Sequence, residues 1–380
     1  MIYRDFKELK LSQLGFGAMR LPVFDGDDAK VDREQTQRMV DAAMDAGVNY
    51  YDTAWGYHGE TSEIVIAEAL AKHPRDSYYF ATKFPGYDLS NMPKVKEIFA
   101  RQLEKTGLEY FDFYLLHNVC EMNIEQYLDP QYGIMEHLLE QKKNGRIRYL
   151  GFSCHGEMDV LRRFLDAYGD EMEFCQLQLN YLDWTFQHGK EKVDLLKERD
   201  IPVWVMEPLR GGKLAKLDEE DEKQLRALRP EEEIPAWAFR FLQTIPEVKV
   251  ILSGMSNEAQ LEANLRTFAE DRPLNAVESD ALMKIADRMG SSGSVPCTAC
   301  HYCTSHCPQG LDIPRLISLY NEHVLTTKAG LFGFIAPMAL AAIPEEERPA
   351  ACLHCGSCEQ VCPQQIRISD VMTDFVAKIG

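Results

Sequence analysis

Ile147-Arg148-Tyr149-Leu150-Gly151-Phe152-Ser153, followed by the run Met158 to Tyr168 and then by Phe174-Cys175-Gln176-Leu177-Gln178-Leu179, reads as strand, amphipathic helix and strand. Short β-rich runs that alternate with helical runs bury their apolar faces most simply as a parallel sheet with crossover helices. The alternation continues in both directions. Strands are expected near Leu14 to Ala18, Tyr50 to Asp52, Tyr78 to Thr82, Phe111 to Leu116, Pro202 to Met206 and Val248 to Leu252. Helices are expected over Glu34 to Ala46, Ser62 to Ala71, Lys94 to Thr106 and Glu258 to Ala269. Eight such units in about 280 residues match a (β/α)8 TIM barrel in number and length. An open doubly wound sheet fits less well, because Gly15-Phe16-Gly17 opens no G-x-G-x-x-G turn into a helix.

With 380 residues, 45% of them hydrophobic, the chain has material for one large domain and a small one. A formal charge of −19 repels phosphate backbones, so no nucleic-acid partner is expected. The acidic runs Asp218 to Glu222 and Glu231 to Glu233 read as solvated helix ends or loops. Leu331 to Ile343 is the longest apolar stretch; it is shorter than a membrane span and is interrupted by Gly333 and Pro337, so a buried helix or hairpin and no membrane partner are expected. The opening MIYRDFKELK carries charges and no apolar run of a secretory leader, which points to a reduced, cytoplasmic chain.

In a barrel of this type reactive side chains stand at the carboxyl ends of strands. Asp52, Lys83 and His117 close the second, third and fourth strands, and each interrupts an apolar run. Tyr57 follows in the loop Asp52-Thr53-Ala54-Trp55-Gly56-Tyr57, near enough to reach back over the rim. A phenol beside an ammonium is a reasonable general acid: the charge of Lys83 is expected to lower the Tyr57 pKa toward neutrality, Asp52 to keep Lys83 charged and oriented, and His117 to hydrogen-bond a substrate carbonyl. Such a group protonates an oxygen while hydride arrives at carbon. Carbonyl reduction of a small-molecule substrate is the reaction it suits.

Eight of the eleven cysteines form two copies of C-x2-C-x2-C-x3-C-P, Cys297-Cys300-Cys303-Cys307-Pro308 and Cys352-Cys355-Cys358-Cys362-Pro363. Zinc has no use for the third thiolate at the next three-residue step, and disulfides need an oxidising compartment. Iron–sulfur ligation accounts for the spacing. Cys120, Cys154 and Cys175 read as small buried apolar groups. The polar linker Gly290-Ser291-Ser292-Gly293-Ser294 separates a barrel over 1–290 from the cysteine-rich domain over 291–380. Between Cys307 and Cys352 lie 44 residues, and Ile313 to Val324 and Leu331 to Ala342 have helical composition.

Residues 1 to 290 resemble the aldo/keto reductase family. The likeness rests on Gly15-Phe16-Gly17-Ala18-Met19-Arg20, Asp52-Thr53-Ala54 with Gly56-Tyr57, Thr82-Lys83, Leu115-Leu116-His117, Gly145-Arg146-Ile147-Arg148 and Gly151-Phe152-Ser153. It implies that Asp52, Tyr57, Lys83 and His117 are the catalytic residues and that NAD(P)H is the hydride donor. It also implies that Ser153 and Gln176 hold the nicotinamide amide. Cys154 stands where asparagine is usual, and Met206-Glu207-Pro208-Leu209 has no aromatic residue at the usual stacking position. Gly254 and Gln260 replace the basic residues that select a 2′-phosphate, although Asn264 is kept. Phosphate contacts are expected from Ser253, Gly254, Ser256 and Asn257 at a helix start and from Arg210 and Lys213 around Gly211-Gly212. That corner would take a pyrophosphate or the single phosphate of FMN.

The cysteine-rich domain resembles two-cluster ferredoxin-type modules, of the α-helical ferredoxin kind. In these the fourth cysteine, before proline, reaches the other cluster. The resemblance implies two [4Fe-4S] clusters, one on Cys297, Cys300, Cys303 and Cys362 and the other on Cys352, Cys355, Cys358 and Cys307. Nicotinamide passes two electrons as hydride and a cluster passes one, so a flavin is the simplest transducer if barrel and clusters share a path. Two alternatives to plain carbonyl reduction therefore stand: flavin-mediated transfer to an external electron-transfer protein, and a non-catalytic subunit that senses redox state.

Overall fold

A computed structural model of the chain describes residues 1–291, 295, 297, 303–328, 333–362 and 366–379. It divides into two compact units, Met1–Leu282 and Met283–Gly380, and the division falls inside the helix Ala276–Ser291.

The first unit has ten strands. β1 (Tyr3–Phe6) and β2 (Leu9–Ser12) form an antiparallel hairpin. β3 (Leu14–Gly17), β4 (Tyr50–Asp52), β5 (Tyr79–Phe84), β6 (Phe111–Val119), β7 (Ile147–Cys154), β8 (Cys175–Gln178), β9 (Val203–Met206) and β10 (Val248–Gly254) close into a parallel barrel in chain order. Closure is made where β10 pairs with β3, from Ile251 opposite Leu14 to Gly254 opposite Gly17. Helices at Arg33–Asp45, Ser62–Leu70, Val95–Thr106, Met158–Tyr168 and Glu258–Thr267 fill the crossovers where the 3.6-residue periodicity placed them. The eightfold TIM barrel expected from the strand–helix alternation is the observed architecture.

The hairpin is an addition to that expectation. It plugs the end of the barrel where the strands begin. Phe6 meets Trp204 edge-on at 5.0 Å and Tyr149 at 5.1 Å, inside an apolar cluster with Leu11, Tyr50, Phe113, Phe174 and Val250. Each such aromatic pair adds roughly 0.5–1.5 kcal/mol beyond its buried area. Near the same end the fully buried Asp112 accepts from Arg75 (2.6 Å), Arg148 (2.9 Å) and the Phe80 amide (2.9 Å), tying β5, β6 and β7 together. With one end sealed by side chains, the open rim at the strands' carboxyl ends is left for chemistry.

The second unit is helical. Ile313–Lys328, Ile335–Ala341 and Ile368–Ile379 bring Leu316, Ile317, Ala336, Leu340, Met372 and Phe375 into one core. Cys303 and Cys358 are buried in that core, and Cys297, Cys307, Cys352 and Cys362 pack against it. Among the described residues no helix is long and apolar enough to cross a membrane.

Candidate active site

Asp52, Lys83 and His117 come together at the carboxyl ends of the adjacent strands β4, β5 and β6. Lys83 has no exposure and is held from two sides: its Nζ donates to Asp52 Oδ1 at 2.6 Å and to the Thr53 carbonyl at 2.7 Å. The Lys83 ammonium lies 5.2 Å from the centre of the Tyr57 ring, and the Tyr57 ring meets the imidazole of His117 edge-on at 6.0 Å. All four residues singled out in the sequence thus share one rim.

Electrostatics of the rim differ from the expectation at one point. Burial, with the negative charges of Asp52 and Glu207, pushes the Tyr57 phenol above its ordinary range instead of lowering it. Lys83 has its charge taken up by Asp52, so the pair presents little net positive field to the phenol. Tyr57 is therefore fully protonated at neutral pH, which is the state a proton donor needs. Burial, then Lys83 and His155, holds His117 well below the usual histidine range, so its imidazole is neutral and keeps one N–H to donate. Asp52 is raised by its own burial, an effect that Lys83 partly offsets.

Three further residues reach this rim. Tyr87, three residues past the Phe84 end of β5, meets His117 edge-on at 5.2 Å, and its hydroxyl sits where a side chain on Gly56 would project. His155, directly after β7, is depressed to about 4 by burial and by Lys192. Glu207 follows β9 in a left-handed conformation (φ 57°), accepts from the Gly211 amide, and approaches Arg20 at 3.9 Å. An aromatic or titratable residue just past a strand end was the available signal for each. What the sequence could not supply was which of them turn inward.

The expected cofactor residues fall into two groups. Gln176 is buried on β8, donates from Nε2 to Met206 Sδ at 3.6 Å, and leaves Oε1 without a partner among the described residues. That orphan acceptor fits the amide N–H of a nicotinamide carboxamide. Ser153 accepts the Asn118 amide at 2.8 Å and keeps its own proton to donate. At the end of β10, Ser253 Oγ accepts from Asn264 Nδ2 at 2.9 Å; both residues are buried. Gly254 packs under the side chain of Arg20, Ser256 donates to the Arg20 carbonyl, and Asn257 caps the helix Glu258–Thr267 through Gln260 N. Arg210 lies in the other group: it is turned inward onto the fully buried Asp183, with Nε at 3.0 Å from Oδ1. Lys213 is partly exposed nearby.

In the second unit Cys307, Cys352, Cys355 and Cys358 line one partly open pocket walled by Leu311, Ile313, Ile368 and Met372. Their thiols are free. Four thiols around an apolar-walled chamber fit an iron–sulfur cube, and they are the set implied for the second cluster. Among the described residues no three His, Cys, Asp or Glu side chains converge closely enough to hold a metal ion. Cys297, Cys303 and Cys362 line the same core, whereas Cys300 lies outside the described residues.

The family profile described as aldo/keto reductase matches residues 13–287, and that of the 4Fe-4S dicluster domain matches residues 296–366. Among curated proteins, the NADH-specific methylglyoxal reductase of Escherichia coli is 27% identical over 227 residues, which cover 54% of this chain and 66% of that protein, just under two thirds of its length. L-galactose dehydrogenase of Arabidopsis thaliana is 25% identical, with 69% of this chain and 86% of that protein covered. Among solved structures, the holo form of an aldo-keto reductase of Bacillus halodurans superposes with a TM-score of 0.62 at 26% identity, over 75% of this chain and 96% of that one. A closed eightfold barrel, four rim residues in reach of one another and a profile match over most of the chain agree: it belongs to the aldo/keto reductase family and carries a 4Fe-4S dicluster domain after its barrel.

Proposed function

We propose that the barrel reduces a carbonyl of a small molecule with NAD(P)H, and that the helical unit holds two [4Fe-4S] clusters able to exchange electrons with an external one-electron partner. The observation that carries the first part is the buried Lys83–Asp52 pair at 2.6 Å beneath the Tyr57 ring and beside His117. When bound, reduced nicotinamide supplies hydride and a cluster exchanges single electrons.

The residues of the chain then divide the work. His117, neutral, donates its N–H to the carbonyl oxygen, fixes its angle and polarises it. Tyr57 gives its phenolic proton to that oxygen as the carbon is reduced, and the product leaves as an alcohol. Burial makes the resulting phenolate costly, and Lys83, 5.2 Å from the ring centre, is the nearby cation that limits this cost only in part because Asp52 takes up much of its charge. Asp52 keeps Lys83 charged and pointed. Gln176 Oε1 and the Ser153 hydroxyl are the groups suited to a nicotinamide amide, and the Ser253–Asn257 turn at the start of the helix Glu258–Thr267 is suited to phosphate. In the helical unit, Cys307 with Cys352, Cys355 and Cys358 would hold one cluster, and Cys297, Cys300, Cys303 and Cys362 the other.

Methylglyoxal, and L-galactose in the oxidative direction, are the first substrates to try, with both nicotinamides and anaerobically purified protein. Tyr57→Phe is expected to abolish turnover while leaving nicotinamide binding intact. Unchanged turnover in that variant refutes Tyr57 as the acid. Release of a yellow, fluorescent chromophore on denaturation would replace nicotinamide by flavin as the group next to the rim.

A further inference from the structure

His117 does not sit on a regular strand. β6 and β7 pair from Phe111 opposite Ile147 to Leu116 opposite Phe152, and resume with Val119 opposite Cys154. Two residues of β6, His117 and Asn118, therefore stand against one residue of β7, Ser153. This is a β-bulge at the barrel rim, the device by which a strand re-aims one side chain. Asn118 takes up the kink in the left-handed region (φ 60°), which asparagine tolerates better than most residues.

A bulge frees backbone groups from the ladder, and here side chains take up three of them in turn. The Asn118 amide donates to Ser153 Oγ at 2.8 Å. The Asn118 carbonyl accepts from Asn123 Nδ2 at 2.8 Å. The His117 carbonyl accepts from the Tyr127 hydroxyl at 2.8 Å. Asn123 is fully buried and also donates to the Gly86 carbonyl at 3.0 Å. Tyr127 lies directly on Gly86: a Cβ there would fall 2.0 Å from the Tyr127 oxygen. Gly86 follows Lys83 by three residues, so the clamp also joins the loop after Lys83 to the turn that carries His117.

We propose that Ser153, Asn123 and Tyr127 are positioning residues for His117: they hold the His117–Asn118 bulge in the one backbone shape that aims the imidazole at the Tyr57 rim. For Ser153 this is a task additional to its suitability for a cofactor amide. The assignment rests on the reading of His117 as the donor to the substrate carbonyl. A displacement of about 1 Å in such a donor costs up to about 100-fold in rate.

Steady-state kinetics of the full, cluster-loaded chain test it, together with side-chain imidazole NMR of His117 as a readout independent of turnover. Tyr127→Phe keeps the ring on Gly86 and removes only the hydroxyl. It is expected to lower kcat roughly 10- to 100-fold, with KM for the carbonyl and for the nicotinamide little changed, and to broaden or split the His117 imidazole signals. Asn123→Ala, which removes the donor to the Asn118 and Gly86 carbonyls, should act in the same direction. Tyr51→Phe is the control, since it removes an equally buried hydroxyl that donates to the Val48 carbonyl at 3.2 Å, away from the rim; kcat should hold. In a His117→Gln background, Tyr127→Phe should have no further effect. The proposal is overturned if Tyr127→Phe leaves the imidazole signals unchanged, or if it lowers kcat equally with and without His117. If His117→Gln itself leaves turnover intact, the catalytic reading of His117 falls, and the imidazole spectra still decide the clamp.

Discussion

Lys83→Met removes the cation of an ion pair with 0% and 4% side-chain exposure and strands the Asp52 carboxylate in the barrel. Removing one partner of a buried pair costs about 3–5 kcal/mol, because the remaining charge has neither water nor counter-ion. Asp52→Asn together with Lys83→Met leaves no charge behind and should recover much of that loss, as a double-mutant cycle would show. Trp55, Trp184, Trp204 and Trp237 all belong to the Met1–Leu282 unit, so tryptophan fluorescence in urea reads the barrel alone. With a slope of about 3 kcal/mol per M, the single variant's midpoint should fall by roughly 1–1.7 M. The loss also has a pH sign. Without Lys83, the folded-state pKa of Asp52 rises further above its unfolded value, so the folded variant holds that proton more tightly and is penalised as pH rises. Destabilisation should be greater at pH 8 than at pH 5. A midpoint unchanged at pH 8, or a double variant weaker than the sum of the two singles, refutes the pair as a charged structural unit.

Other consequences can be checked with the same material. His155 is held to about 4, below its unfolded value, so its contribution is present above about pH 6.5 and lost as pH falls toward 4, at up to about 1.4 kcal/mol per pH unit; His155→Gln should flatten that part of the barrel's urea-midpoint profile, and an unchanged slope contradicts it. Gly86→Ala drives a methyl into Tyr127 without any backbone penalty and should cost about 1–3 kcal/mol in the same fluorescence assay; a neutral result means the loop yields freely. Cys307→Ser should remove about half of the iron and acid-labile sulfide from anaerobic protein while Cys297→Ser removes the other half, and full retention in either variant breaks the implied ligand sets.

Much of the barrel was legible because its signals are local. Met158–Tyr168 appears with the bounds its periodicity gives, and Ile147–Cys154 exceeds the expected strand by one residue. The rim quartet was legible for a related reason: a charged side chain that ends an apolar strand has few places to go but the mouth. The hairpin β1–β2 was not, since strands of four residues carry almost no pattern, and their burial depends on Trp204 and Tyr149 far along the chain. Arg210 looked like a phosphate ligand beside two glycines. Its buried partner Asp183 stands 27 residues earlier, and no local feature announces that pairing. The bulge at His117–Asn118 is likewise a matter of register between two strands, invisible in either one alone. Tyr57's raised pKa was missed because burial of the phenol, the largest cause, and the charge of Glu207 beside it depend on side chains brought together only by the fold.

Direct hydride delivery at the rim can be followed by isotope tracing. Nicotinamide deuterated on either face of C4 is supplied anaerobically with a carbonyl substrate, and the alcohol is analysed by mass spectrometry. One deuterium is expected at the carbinol carbon from one of the two labelled cofactors, with loss of product formation in Tyr57→Phe. An alcohol carrying only solvent hydrogen at that carbon would contradict it and would place the electrons on a stepwise route.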